Sequence, residues 1–161
     1  MRSVECPKDA ETARDLERRL RKLLPQADAL VMAAAVCDVR PRKAEAGKIK
    51  KDTLREISVV KNPDVLASLS GIKRPDQVFA GFGIESERLM ENGLRKLRQK
   101  SLEWIVLQKV TKNSRPFGER KIDAVLLDRC GCAFRFPGIS KQKLARILVG
   151  EVAKAVREKL K

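Results

Sequence analysis

The chain of 161 residues predicts a single α/β domain, with a mainly parallel sheet and an antiparallel hairpin at one edge. Three observations carry that expectation. Apolar runs at 29–36, 77–84 and 102–107 read as strands covered on both faces, as in a parallel sheet. Segments with helical apolar spacing alternate with these runs through most of the chain. Two shorter runs, at 124–127 and 132–136, read as a hairpin.

The elements follow in order. After an extended start at 3–6, Asp9 can cap a helix to about Leu24, with Ala13, Leu16, Leu20, Leu23 and Leu24 on one face and Pro25 ending it. The run 29–36 is alanine-rich and helical by propensity, but its length and the prolines on either side favour a strand. Residues 37–53 lose all periodicity. They form a long basic segment, and 38–53 is expected to be a flexible flap, since loops of this length are lids or disordered.

Alternation resumes at 54–60. Asn62 as cap and Pro63 at the first helical position then open a short helix to Ser70. The strand at 77–84 leads into a helix from Ser86 to about Lys100 with Met90, Leu94 and Leu97 as its core stripe. The strand at 102–107 and a polar loop containing Arg115, Pro116, Phe117 and Gly118 precede the hairpin. Ser140 caps a last helix with Leu144, Ile147, Leu148, Val152, Val156 and Leu160 on one face.

A domain of this length buries about two thirds of its unfolded surface, so no staple is required. Hydrophobic residues make up 43% and charged ones 35%, too apolar for a disordered basic tail. The longest apolar run spans 29–37, well short of the roughly 20 residues that cross a bilayer, and the start carries no signal-peptide pattern. Absent histidine excludes serine–histidine and cysteine–histidine nucleophile pairs and most catalytic zinc sites. Catalysis must then run on lysine, carboxylate, backbone dipoles or a bound cation. Cys6, Cys37, Cys130 and Cys132 are few and irregular, and the C-x-C at 130–132 lacks a second pair. They read as reduced thiols of a cytoplasmic protein, with no protein metal site.

Ligands of parallel sheets bind beyond the carboxyl ends of the strands. Asp38 follows one such end and is followed by Lys48, Lys50 and Lys51. The carboxylate suits a hydroxyl, amine or metal ion and the lysines suit phosphates, although a solvated loop explains them equally well. Lys96 and Lys100 stack at i,i+4, which is unfavourable by a few tenths of a kcal/mol unless an anion sits between them. As ordinary surface lysines they need no ligand.

Asn62, Pro63 and Asp64 place free N–H groups at a helix start. Gly81 and Gly83 allow close backbone approach, and Phe82 between them either stacks on a base or is simply core. There is no G-x-G-x-x-G or G-x-x-x-x-G-K-[ST], hence no complete phosphate-cradling loop.

In combination these segments resemble phosphopantothenoylcysteine synthetase. The matching parts are Ala33-Ala34-Ala35-Val36-Cys37-Asp38-Val39-Arg40-Pro41, then Lys48-Ile49-Lys50-Lys51, then Val60-Lys61-Asn62-Pro63-Asp64-Val65-Leu66, then Gly81-Phe82-Gly83-Ile84-Glu85, then Lys96 and Lys100. They keep the family's order and spacing from Thr12 to about Leu107, with weaker likeness through Phe117-Gly118 and Ser140-Lys141.

The resemblance implies a Rossmann-like domain with helices on both faces of the sheet. It implies a ligase that joins 4′-phosphopantothenate to cysteine with CTP and Mg2+ in coenzyme A biosynthesis, as a homodimer. In that chemistry the substrate carboxylate attacks the α-phosphate, and the cysteine amine then displaces CMP from the acyl-cytidylate. Positioning and charge neutralisation carry such a reaction without histidine. By resemblance, Ala33, Ala34 and Asp38 line the nucleotide site, and Lys48 is the catalytic flap lysine. Pro63, Asp64, Val65, Leu66 and Phe82 hold the nucleotide, and Lys96 and Lys100 meet its phosphates.

The chain departs from the family at its start, where a glycine-rich G-G-T segment, an arginine, an S-S-G-K-M-G stretch and an essential asparagine are absent. Two further family asparagines are also missing, one of them replaced by Gln108. The expectation is a truncated relative, weak or inactive alone, with its nucleotide contacts better kept than its substrate contacts. A rival reading, a basic nucleic-acid-binding module, rests on the net charge of +15. The absence of tyrosine, with only five phenylalanines and one tryptophan mostly in core strands, speaks against it. A regulatory domain that kept the fold and lost the chemistry is a third.

Overall fold

The computed structural model describes residues 10–43, 47–50, 52, 55–110, 118 and 120–161. The extended start at 3–6, the Asp9 cap, Lys51 and Arg115 to Phe117 lie outside the described residues. Helix α1 spans Ala13–Leu23, capped by Thr12, whose hydroxyl accepts from the Asp15 N–H at 3.1 Å. Its Ala13, Leu16 and Leu20 pack against the core. Pro25 lies within a single 3-10 turn, Leu24–Gln26, that follows the helix.

Strand β1 is Ala29–Met32, shorter than the apolar run that predicts it. It lies at the edge of the sheet, and Val31 is exposed, so the expected cover on both faces does not hold here. Residues 33–36 are small and apolar because they wall a cavity, not because they pair. The segment expected as one long loop contains strand β2 (Val39–Pro41), which pairs antiparallel with β3 (Val59–Lys61) in a separate two-stranded sheet.

Helix α2 is Val65–Ser70. Its cap is Asp64, accepting from Ala67 N–H at 3.1 Å, two residues beyond the Asn62 expected from sequence, with Val65 instead of Pro63 as first helical residue. Asn62 is occupied elsewhere: its Nδ2 donates to the Cys37 carbonyl at 2.8 Å. Strand β4 (Val78–Glu85) is followed by helix α3 (Leu89–Gln99), which starts three residues later than expected, after Arg88 in a left-handed conformation (φ 48°). Leu97 of its stripe is buried, and Met90 and Leu94 pack against the core from partly buried positions.

Strand β5 (Trp104–Lys109) runs parallel to β4, which is itself parallel to β1. Strands β6 (Ile122–Asp128) and β7 (Ala133–Ile139) form the expected antiparallel hairpin at the far edge, giving the order β1-β4-β5-β6-β7. Helix α4 is Lys141–Lys159.

The alternation of the strands sends Phe79, Ile105, Leu107, Val125 and Leu127 to one face, against α1, α2 and α3. Val78, Ala80, Val106, Ala124 and Leu126 go to the other, against Leu144, Leu148, Val152 and Val156 of α4. Helices thus cover both faces. Leu160, expected on the α4 core stripe, is exposed just past the end of the helix.

Ser140 caps α4 as expected, its Oγ accepting from the Lys143 N–H at 3.3 Å. Ser140→Ala is expected to cost about 1 kcal/mol, read as a lower urea midpoint at unchanged slope. A changed slope with an unmoved midpoint would contradict this account of the cap.

Candidate functional site

The carboxyl ends of β1 and β4, the turn before α2 and the flank of α3 enclose a cleft of about 420 Å³. One wall is the small-residue run after β1, where Ala33 and Ala34 are exposed. Asp38 continues that wall, and its carboxylate makes no hydrogen bond or ion pair among the described residues. The opposite wall is Pro63, Asp64, Val65 and Leu66, with Phe82 of β4 at the base and Lys96 and Lys100 of α3 on the flank.

Non-local hydrogen bonds hold this geometry. The Asn62 backbone N–H donates to the Asp38 carbonyl at 2.8 Å, and the Arg40 guanidinium donates to Lys61 O at 2.7 Å and Asn62 Oδ1 at 3.0 Å. The β2–β3 ribbon therefore clamps the segment after β1 to the turn before α2.

Both lysines have carboxylate partners. Lys96 Nζ donates to Glu85 Oε1, and Lys100 Nζ lies 2.9 Å from Asp64 Oδ2. Partial burial pushes the Asp64 carboxyl up, but the Lys100 hydrogen bond and the Ala67 and Leu66 N–H groups outweigh it and hold the group below its ordinary value. The i,i+4 like-charge penalty expected from sequence is thereby relieved within the protein. Glu85 also accepts from Asn92 at 2.8 Å, which fixes the carboxylate that positions Lys96.

The glycines around Phe82 do admit close approach, and the groups that approach are the protein's own. A Cβ on Gly81 would lie 3.0 Å from Leu102 and 3.2 Å from Leu66, and one on Gly83 would lie 3.1 Å from Leu107. Phe82, flanked by these tight contacts, is 43% exposed and turns its ring to the cleft instead of the core.

All ten residues expected from sequence to hold a nucleotide line this cleft: Ala33, Ala34, Asp38, Pro63, Asp64, Val65, Leu66, Phe82, Lys96 and Lys100. Lys48 does not line it, and is exposed in the segment between β2 and β3. Sequence reasoning quoted Arg40 and Asn62 within motifs but missed their clamping roles, which only contacts across more than twenty residues reveal. It quoted Glu85 within a motif without giving it a role.

A second hollow of about 350 Å³ adjoins the cleft, sharing Ala33, Ala35, Phe82, Gly83 and Ile84. It is mostly apolar, and Gln108 and Lys141 supply its polar groups. Among the described residues no three cysteines or carboxylates cluster to hold a metal ion. The described residues therefore do not supply three such protein ligands for a metal ion.

A parallel-stranded α/β domain with an aromatic-floored cleft at the strand ends, carrying two lysines and two carboxylates, is the architecture of small-molecule enzymes that handle polar ligands. Residues 3–156 match the DNA/pantothenate metabolism flavoprotein C-terminal domain, and the chain belongs to that family, in agreement with the resemblance read from its motifs.

Among curated relatives, it is 27% identical over 139 residues to the coenzyme A biosynthesis bifunctional protein CoaBC of Borreliella burgdorferi, covering 84% of this chain and 34% of that protein. The chain thus spans about a third of that relative's length. It is also similar to the crystal structure of the C-terminal domain of a CoaBC protein, with a TM-score of 0.73 at 21% identity over 92% of this chain and 64% of that one. A Cab2 mutant in complex with phosphopantothenate-cysteine superposes with a TM-score of 0.66 at 15% identity, over 92% of this chain and 52% of that one. Both structural likenesses speak to the fold.

Proposed function

We propose that the chain is the nucleotide-binding part of a phosphopantothenate–cysteine ligase that uses CTP. The observation that supports this most is the convergence of ten residues from four separate motifs on one cleft. Lys96 and Lys100 exchange their carboxylate partners for nucleotide phosphates, Phe82 stacks on the base, and Asp38 meets the sugar or the phosphate-borne cation. Asp38 would be the protein carboxylate for a Mg2+ bound with the triphosphate, and that ion would supply charge neutralisation.

In the reaction, the 4′-phosphopantothenate carboxylate attacks the α-phosphorus and the bond to pyrophosphate breaks. The cysteine amine then attacks the acyl carbon, loses a proton, and CMP leaves. Lys48 closes over the acyl-cytidylate from the segment between β2 and β3. The apolar hollow beside the cleft receives the pantothenate chain, with Lys141 and Gln108 as its polar anchors.

Val39 and Val59 are exposed on the β2–β3 ribbon, and Ile57 is exposed beside it, apolar surface that a homodimer would cover. No helix among the described residues is long and apolar enough to cross a membrane, which suits a cytoplasmic setting.

Calorimetric titration with CTP and Mg2+ is expected to show binding to the chain. Lys100→Gln should weaken it roughly tenfold, as expected for one lost charge-assisted phosphate contact. No CTP binding at millimolar nucleotide sinks the reading. Release of CMP that depends on both phosphopantothenate and cysteine would establish the full reaction.

A further inference from the structure

A hollow of about 460 Å³ opens elsewhere on the domain, at the amino-terminal ends of β4 and β5, and shares no lining residue with the cleft. Five cationic side chains line it, Lys73, Arg74, Arg98, Arg129 and Lys159, and Glu103 is its single carboxylate. We propose that this hollow is a second anion site, and that it takes a small phosphate-bearing molecule with two or more negative charges.

Each cation can be asked whether the fold already uses it. Lys73 donates to Glu103 and to the Ser101 carbonyl at 2.6 Å, and Lys159 donates to Glu103 and to the Gln77 carbonyl at 2.8 Å. Arg74 pairs with Asp76 at 3.0 Å and donates to the Pro25 carbonyl. The ends of α2, α3 and α4 meet here, and their carbonyl poles favour such cations. Those three side chains therefore have structural work.

Arg98 and Arg129 have none: their guanidinium groups make no hydrogen bond or ion pair among the described residues. Both are exposed, and both line the hollow. Arg129 is fixed in place by its backbone N–H, which donates to the Glu103 carbonyl at 3.0 Å.

The charge balance points the same way. Asp76 pairs with Arg74, and Glu103 is shared by Lys73 and Lys159, which leaves Arg98 and Arg129 without a carboxylate partner among the described residues. Lys73 lies below the usual lysine value chiefly because of burial, which Glu103 opposes, with the like charges of Lys159 and Arg129 as smaller contributions.

Two planar guanidinium groups with free donors match the oxygens of a phosphate, which each can grip with two parallel N–H bonds. The volume exceeds what one inorganic phosphate fills and lies in the range of small-metabolite pockets, so a phosphate carried on a small molecule, or a diphosphate, fits best.

Pyrophosphate is the probe, used in calorimetry on the Lys96→Gln/Lys100→Gln chain so that the cleft's own cations are removed. One-to-one binding is expected to remain. Adding Arg98→Gln and Arg129→Gln should weaken it by roughly tenfold or more, from the loss of charge-assisted hydrogen bonds. Arg129→Lys alone, which keeps the charge and drops the fork, should fall between. Arg95→Gln is the control, because Arg95 on the same helix bonds Gln99 and Asn92 outside the hollow.

Absence of binding to the chain lacking the cleft lysines overturns the proposal. So does binding that ignores Arg98 and Arg129, or heat reproduced by chloride at matched ionic strength. None of these outcomes bears on CTP in the cleft, so the two readings fail independently.

Discussion

Replacing Glu103 by Gln is expected to destabilise the domain by about 3–5 kcal/mol, a large part of the roughly 5–15 kcal/mol available to a domain. The Glu103 side chain is 9% exposed and accepts from Lys73 Nζ at 2.7 Å, Lys159 Nζ at 2.7 Å and the Phe79 N–H at 2.7 Å. The Lys73 side chain is also 9% exposed. The isosteric amide keeps the volume and removes the charge, leaving a buried ammonium without its counter-ion and an NH2 group facing donors. Urea denaturation at neutral pH reads the loss, and a change below about 1 kcal/mol, the value of an ordinary exposed pair, would defeat the argument.

The pH dependence supplies a second reading of the same group. Burial pushes the Glu103 carboxyl up, but the hydrogen bonds from Lys159, Lys73 and Phe79 outweigh it, so the folded value lies below the ordinary 4.5. The unfolded chain therefore binds the proton first. Stability from this group is complete above about pH 4.5 and is lost as pH falls through the depressed folded value. The acid limb of the stability curve should be shallower in Glu103→Gln. The exposed carboxylates that are also held low, such as Asp15 and Asp76, remain in both chains and cancel in the comparison.

Glu103 also marks where sequence reading stops. It stands in an otherwise apolar run, and its partners are 30 and 56 residues away. Nothing local announces that two lysines will converge on it. Helix α4, by contrast, was legible apart from Leu160, just past its end, because its cap and its i, i+4 leucines and valines are local signals. The central strands β4 and β5 were legible because burial on both faces leaves a continuous apolar run.

The same rule misled at β1, where the run outlasts the strand by four residues. There the alanines are small to make room for a cleft, and an apolar run has two causes that the letters do not separate. At Asn62-Pro63-Asp64 the start signals were present but two residues out of place, since Asn62 bonds Cys37 across 25 positions instead of capping α2.

The family resemblance carried the membership of the cleft for ten residues, whereas Lys48 does not line it. The pairings inside it, Lys96 with Glu85 and Lys100 with Asp64, needed the tertiary structure.

Gly93→Val is expected to cost about 3 kcal/mol, the upper part of the range for overpacking a filled core. Gly93 is buried in the middle of α3, facing the sheet. A Cβ there would lie 2.3 Å from Leu107 Cδ1, closer than any real contact, and 3.2 Å from Leu127 Cδ2. Both leucines are fully buried, so neither can swing into solvent, and the helix must lift off the sheet.

Gly93→Ala separates the causes. Alanine gains about 1 kcal/mol of helix propensity at an interior position, so an alanine variant that is still less stable than the parent isolates the steric term. Valine adds two methyl groups at the point of contact. For a domain of this size each kcal/mol lowers Tm by about 2–4 °C, so the valine chain should melt roughly 6–12 °C below the parent.

The cleft should register the change as well. Lys96 lies one turn beyond Gly93 on the same helix and is held by Glu85 of β4 across the same interface. Lifting α3 parts the two, and weakened CTP binding should accompany the loss of stability. A valine variant as stable as the parent would show that the α3–sheet contact has slack, and the glycine would then have no packing role.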